Sequence, residues 1–182
     1  MNFSLRNFPL YLDQILDLEL NAEGFVDAMA NTLAIIHFQA ELDARDIEFV
    51  LGMSPSFSHY QLPPAAELLK GSPNSSTAPL GTGINVKKRW IHLWVLDFNE
   101  CAPITMDEAG MDLAATAFQE NAPYYPRPPK AGNVSNAQMN ILWVAFRQSY
   151  LKTSSIVLKG RAMDPEKLPR MFIEKLEEIY SK

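Results

Sequence analysis

Three carboxylates stand where chemistry is easily built: Asp43, Glu48 and Asp97. Asp43 and Glu48 bracket the loop before a short β-prone run at 47–51, and Asp97 closes a second run at 90–99. If the two runs pair as a hairpin, the three side chains converge at one end. Converging carboxylates bind Mg²⁺ or share a proton, and more commonly they are ordinary loop caps and salt-bridge partners. A fourth group, His37, sits beside an apolar helical stripe near its C-terminal end. An imidazole there packs, complements the helix dipole or serves catalysis.

The elements that must position these groups follow from hydrophobic periodicity. In Trp90-Ile91-His92-Leu93-Trp94-Val95-Leu96-Asp97-Phe98-Asn99, alternation puts Ile91, Leu93, Val95 and Asp97 on one face. His92, Trp94, Leu96 and Phe98 take the other. Both faces are largely apolar, which predicts a central strand covered on both sides. Upstream, residues 8–20 read as a short amphipathic helix. Asn21 caps a second helix whose stripe runs through Phe25, Val26, Met29, Leu33, Ile36 and Ala40. Residues 53–89 are rich in Pro, Ser, Gly and Asn, a mobile excursion or a lid, with one or two helical turns near 64–70. Lys87, Lys88 and Arg89 form a small basic cluster before the second strand.

Downstream, Thr105 and Glu108 have the spacing of a capping box, opening a helix with Met106, Ala109, Leu113, Ala117 and Phe118 inward. The proline-rich stretch 123–129 reads as an extended wrap with two tyrosine anchors. Ser135 and Gln138 cap a helix bearing Met139, Leu142, Trp143, Phe146 and Tyr150. The last helix starts near Pro169 and turns Phe172, Leu176, Ile179 and Tyr180 inward. The fold class is mainly α with a small β-hairpin (α+β), one domain over 1–182 with a long insertion at about 53–89.

The totals exclude several classes. The chain has 182 residues, 47% hydrophobic and 20% charged, enough for a proper core. A net charge of −5 with no basic stripe argues against nucleic acid. The one cysteine, Cys101, excludes an internal disulfide and any multi-cysteine zinc site. His37, His59 and His92 have no paired spacing, so no metal site and no cofactor are expected. No apolar run approaches membrane-spanning length, and no signal segment opens the chain, so a cytoplasmic location is the expectation.

The run from His37 through Asp43-Ala44-Arg45-Asp46-Ile47-Glu48-Phe49-Val50-Leu51, followed by Leu96-Asp97-Phe98, resembles the C-terminal lobe of protein kinases and aminoglycoside phosphotransferases. There a catalytic aspartate is followed five residues later by a metal-binding asparagine, and a partner strand ends in a metal-binding aspartate. More closely, residues 42–52, 92–101 and 123–128 resemble a fungal family of kinase-like domains of unknown function, often labelled zinc-finger proteins. By that resemblance Asp43 takes the catalytic position and Asp97 the metal position. Glu48 stands where asparagine is expected, and Asn99 replaces the glycine after Asp97-Phe98. No Gly-rich phosphate loop and no strand lysine precede the first helices, so the resemblance implies a C-lobe with its N-lobe absent and phosphoryl transfer lost.

The expectation that follows is a cleft binding a small, largely apolar organic molecule. It would act as a cofactor-independent cyclase or isomerase of specialised metabolism. Asp43, Glu48, Asp97 and His37 are the polar candidates, with Trp90, Trp94, Tyr60 and Phe57 as walls. The alternative is a pseudokinase-like interaction scaffold, its uncovered apolar surface closed by a partner or by a second copy of the chain.

Overall fold

The structure, a computed structural model, describes residues 9–53, 91–121, 125–129, 137–161, 164 and 166–181. Phe57, Tyr60, Trp90, the 53–89 insertion beyond Met53, the Lys87–Arg89 cluster and Ser135 lie outside the described residues. Helices α1 (Leu12–Asp17) and α2 (Ala22–Ile35) come first, and α2 continues as a π-helical turn, Ile36–Ala40. Strands β1 (Glu48–Met53) and β2 (Ile91–Leu96) form a two-stranded sheet. Helices α3 (Glu108–Glu120), α4 (Ala137–Val157) and α5 (Lys167–Ser181) complete the order. The result is a mainly helical α+β chain, as the periodicity predicts.

Two compact units divide the chain: Met1–Val50 with Val95–Lys182, and Leu51–Trp94. In the second, the indole of Trp94 lies over Gly52, where a Cβ would fall 2.8 Å from Cδ1. A side chain at 52 would displace the ring, so glycine is what the close approach requires.

The first unit holds the core. Helix α2 packs along α4, while α5 packs against both α3 and α4. Asn21 caps α2 by accepting from Gly24 N–H at 2.9 Å. An aromatic chain ties the helices together. Phe118 stacks on Tyr125 with centroids 4.5 Å apart, and Tyr150 meets Phe172 at 4.8 Å. Phe38, Phe146, Tyr150 and Phe172 are fully buried. Each such ring removes a large apolar area from water, worth roughly 1.5–3 kcal/mol.

Three expectations need correction. The first helix is shorter than 8–20. Glu19 turns left-handed at φ 52° and Leu20 N–H closes on the Ile15 carbonyl, which ends α1. Strand β2 is not doubly covered: His92, Trp94, Leu96 and Phe98 are exposed, because a two-stranded sheet has no central strand. The buried face of α3 is Gly110, Met111, Ala114, Ala115, Ala117 and Phe118, whereas Leu113 is 49% exposed. Its N-cap is Asp107, which accepts from Gly110 N–H at 3.0 Å and from the Thr105 hydroxyl at 2.6 Å. A Cβ at Gly110 would fall 1.8 Å from the Thr105 carbonyl oxygen, so only glycine lets the helix start beside that strand of chain.

Among the described residues no helix is long and apolar enough to cross a membrane.

A candidate site around the Asp43 loop

The chain leaves α2 through the π-helical turn, and this sets the loop that follows. Glu41 and Leu42 N–H groups both close on the Ile36 carbonyl. Glu41, Ala44 and Asp46 then take left-handed φ values of 58°, 60° and 57°. Such residues cost of order 1–3 kcal/mol each and persist only where their surroundings hold them.

The surroundings hold this loop from several sides. Leu42 bridges Pro103 in antiparallel fashion, Asp43 N–H donates to the Ala102 carbonyl at 2.9 Å, and Ile104 N–H donates to the Glu41 carbonyl at 2.9 Å. The Asp43 Oδ1 atom accepts from Arg45 N–H at 3.0 Å and from Ala102 N–H at 2.9 Å. Its Oδ2 lies 3.6 Å from Arg45 Nε, and that guanidinium also pairs with Glu120. Asp43 is 4% exposed. Asn121, at the end of α3, donates its amide N–H to the Ala44 carbonyl and accepts from Asp46 N–H, both at 2.8 Å. One buried amide therefore satisfies a donor and an acceptor of the strained turn. At the loop's outer edge Arg161 reaches Glu41 Oε1 at 3.0 Å.

Cys101 lies half-buried within this group, its thiol donating to the Arg45 carbonyl at 3.4 Å. Burial pushes the thiol above its ordinary value, and the Asp43, Asp46 and Asp97 carboxylates add to the shift. Such a thiol stays protonated at neutral pH and is a poor nucleophile. All three carboxylates act electrostatically on this one thiol. Beside it, Tyr125 is buried, and burial holds its phenol above the ordinary range. The Tyr125 hydroxyl has no hydrogen bond of normal geometry, although the Asn121 amide lies close enough to favour its ionised form.

His37 adjoins Asp43 from the core side. It is fully buried, with Nδ1 2.9 Å from the Tyr150 hydroxyl and the Phe172 ring centroid 4.9 Å away. Burial lowers its pKa to about 4, against the opposing pull of the Asp43 backbone and carboxylate. Nε2 is buried without a hydrogen bond of normal geometry. Burial also raises the Tyr150 phenol, so both members of this pair are neutral near pH 7.

Asp97 is exposed and left-handed at φ 63°, between Leu96 and Phe98, each 46% exposed. Glu48 is half-buried in β1. Neither carboxylate has a hydrogen bond or ion pair among the described residues. Asp43 and Asp97 both act on the Cys101 thiol, and His37 feels the Asp43 backbone and carboxylate. No group of three or more His, Cys, Asp or Glu able to hold a metal exists among the described residues. Residue type and spacing do not single out Asp46 or Asn121, and they mark Cys101 only as a lone thiol. An asparagine closing the amphipathic helix α3, ahead of a proline-rich segment, is the one signal that points to Asn121.

Comparison with known proteins adds one finding: the family DUF3669, described as Zinc finger protein, matches residues 93–162. That stretch contains Cys101 and no histidine. A structural zinc centre takes four Cys or His ligands, so the matched residues do not fit one. No curated protein and no solved structure matches the chain.

Proposed function

We propose that the protein is a kinase-like C-lobe module that does not transfer phosphoryl groups and binds a small, largely apolar organic molecule beside Asp97. The observation that carries this reading is the end of β2. Leu96 and Phe98, each 46% exposed, stand on either side of a carboxylate with no partner among the described residues. Small-molecule clefts combine apolar walls with a few placed polar groups, and this stretch supplies both kinds of side chain. The reaction class that fits it is cofactor-independent cyclisation or isomerisation, in which the wall folds a flexible substrate and Asp97 supplies one hydrogen bond.

The absence of phosphoryl transfer is supported by the state of Asp43. Its Oδ1 accepts from the Arg45 and Ala102 N–H groups and its Oδ2 faces the Arg45 guanidinium, so the carboxylate is committed to the loop's own structure. Glu48 and Asn99, at positions where the kinase pattern has asparagine and glycine, support it further. The kinase-like ancestry itself is supported by chain order: helix, buried His37, Asp43 loop, β1, β2, Asp97.

The test is titration with Nile red, a neutral apolar probe, followed by fluorescence. Covering half of a leucine or phenylalanine is worth about 1 kcal/mol. Leu96→Ser with Phe98→Ser together should therefore weaken saturable binding tenfold or more at unchanged melting temperature. Equal affinity in the wild type and the double variant would refute the site. Micromolar, magnesium-dependent ATP binding in a calorimeter would refute the non-kinase reading.

A second reading, a protein-interaction module, is supported by Ile141 and Val144. They are 49% and 50% exposed and one turn apart on α4. If that face associates, Val144→Glu should convert a light-scattering dimer or complex to monomer.

A further inference from the structure

We infer that Asn121 is a positioning residue for the loop beside Cys101, holding the 44–46 turn and so fixing where the Asp46 carboxylate stands relative to the thiol. The loop contains a conflict of its own, whatever ligand it serves. Ala44 and Asp46 are both left-handed, at φ 60° and 57°, and neither is glycine. Nothing in an alanine side chain favours that conformation, so the hold must come from outside the residue.

The Asn121 amide supplies it with matched polarity. Its Nδ2 donates to the Ala44 carbonyl and its Oδ1 accepts from Asp46 N–H, each at 2.8 Å. These are backbone groups of the two strained residues themselves. Asn121 is 7% exposed, so water does not readily replace either bond. The opposite side of the turn is held by Cys101, whose thiol donates to the Arg45 carbonyl at 3.4 Å. Loss of the amide would leave Ala44 and Asp46 free to relax toward ordinary backbone regions. The Asp46 carboxylate would then move relative to the sulfur, while Asp43 stays tied to Ala102.

Cys101 is the chain's one cysteine, which makes it a built-in reporter. Burial is the largest influence on its thiol, and Asp43 and Asp46 from the loop and Asp97 from the end of β2 add to it. The Tyr125 phenol interacts with the thiol as well, and the Arg45 backbone carbonyl accepts from it. The experiment is the pH profile of the iodoacetamide reaction with the intact protein, measured under conditions where circular dichroism shows it folded. In the wild type the apparent thiol pKa should lie above that of a free cysteine. In Asn121→Ala it should move toward the ordinary value, with the alkylation rate at pH 8 rising threefold or more. Asn121→Asp keeps the acceptor for Asp46 N–H and adds a carboxylate, so its profile should stay at or above the wild-type one. A purely stabilising residue would lower the melting temperature without moving the thiol profile of the folded protein, and that outcome overturns the inference. Should Asn121→Ala fail to fold, hydrogen exchange in the wild type decides. Protection of the Asp46 amide supports the clamp, and exchange at the free-peptide rate refutes it.

Discussion

His37 makes the protein sensitive to acid over a defined window, and the size of the effect follows from its burial. An ordinary imidazole titrates at 6.5, whereas the fully buried ring titrates at about 4. Above 6.5 the ring is neutral in both folded and unfolded chains, and pH has no leverage through it. As pH falls below 6.5 the unfolded chain takes up the proton first, so folding stability drops. The loss is complete near pH 4, where the folded form protonates as well. Each pH unit between the two values is worth about 1.4 kcal/mol, so the full loss is roughly 3 kcal/mol. That is a large share of the 5–15 kcal/mol typical of a folded domain.

The perturbation is His37→Gln, which keeps a polar side chain facing the Tyr150 hydroxyl's side of the core but does not titrate. Losing the ring contacts with Phe38 and Phe172 costs the variant stability at every pH. The informative quantity is therefore the difference between wild type and variant. Urea unfolding followed by circular dichroism at pH 7.5 and pH 5 should show the wild type losing about 2 kcal/mol of its advantage. Contributions from the carboxylates are common to both proteins and cancel. A difference that stays constant from pH 7.5 to 5 would mean that the ring protonates as readily in the folded chain as in water. The burial argument would then be wrong.

Other outcomes follow from the same contacts. Asp43→Ala leaves the Arg45 and Ala102 N–H groups without their acceptor and should cost about 2–4 kcal/mol in urea unfolding, while Asp43→Asn, which keeps an acceptor oxygen, should cost about 1 kcal/mol. Equal losses in the two variants would assign the effect to charge rather than to the hydrogen bonds. Gly110→Ala should lower the melting temperature sharply, because the new methyl meets the Thr105 carbonyl at a distance no relaxation of a side chain can relieve. Asp107 titrates below its ordinary value chiefly because the Thr105 hydroxyl donates to it, so Thr105→Val should move that carboxyl upward in an NMR titration. An unmoved Asp107 resonance in Thr105→Val would show that the backbone N–H groups of Gly110 and Ala109 set the shift.

Elements with a strong three-to-four period are legible in the amino-acid sequence alone. Helix α5 turns Phe172 and Leu176 inward as its periodicity predicts, and α4 does the same with Leu142, Trp143, Phe146 and Tyr150. Where the pattern misleads, small residues or missing neighbours are responsible. In α3 the core contact is made through Gly110 and Ala114, which a count of large apolar side chains discounts, and Leu113 stays outside. In β2 alternation describes two faces but cannot say how many strands or layers will cover them. The site is legible as a place rather than as a mechanism. Asp43 marks the loop, but the N–H it caps belongs to Ala102, 59 residues away, and no local pattern encodes that pairing. A π-helical turn has no propensity signature either, so no residue pattern announces the geometry that lifts Glu41, Ala44 and Asp46 out of ordinary backbone space.

That turn carries a consequence for how the chain can vary over evolutionary time. A π-helical turn is an α-helix with one residue too many. Each residue of an α-helix advances the chain by about 100°, so deleting any one residue from Ile36–Ala40 would rotate the exit from α2 by that angle. Residues 41–43 would then leave the helix facing away from Ala102 and Ile104, and the turn at 44–46 would face away from Asn121. Point changes within the turn alter packing, whereas a one-residue deletion changes the reading frame of the whole loop. Related chains should accordingly accept substitutions at Gln39 or Ala40, both exposed, far more readily than any change in the length of this turn.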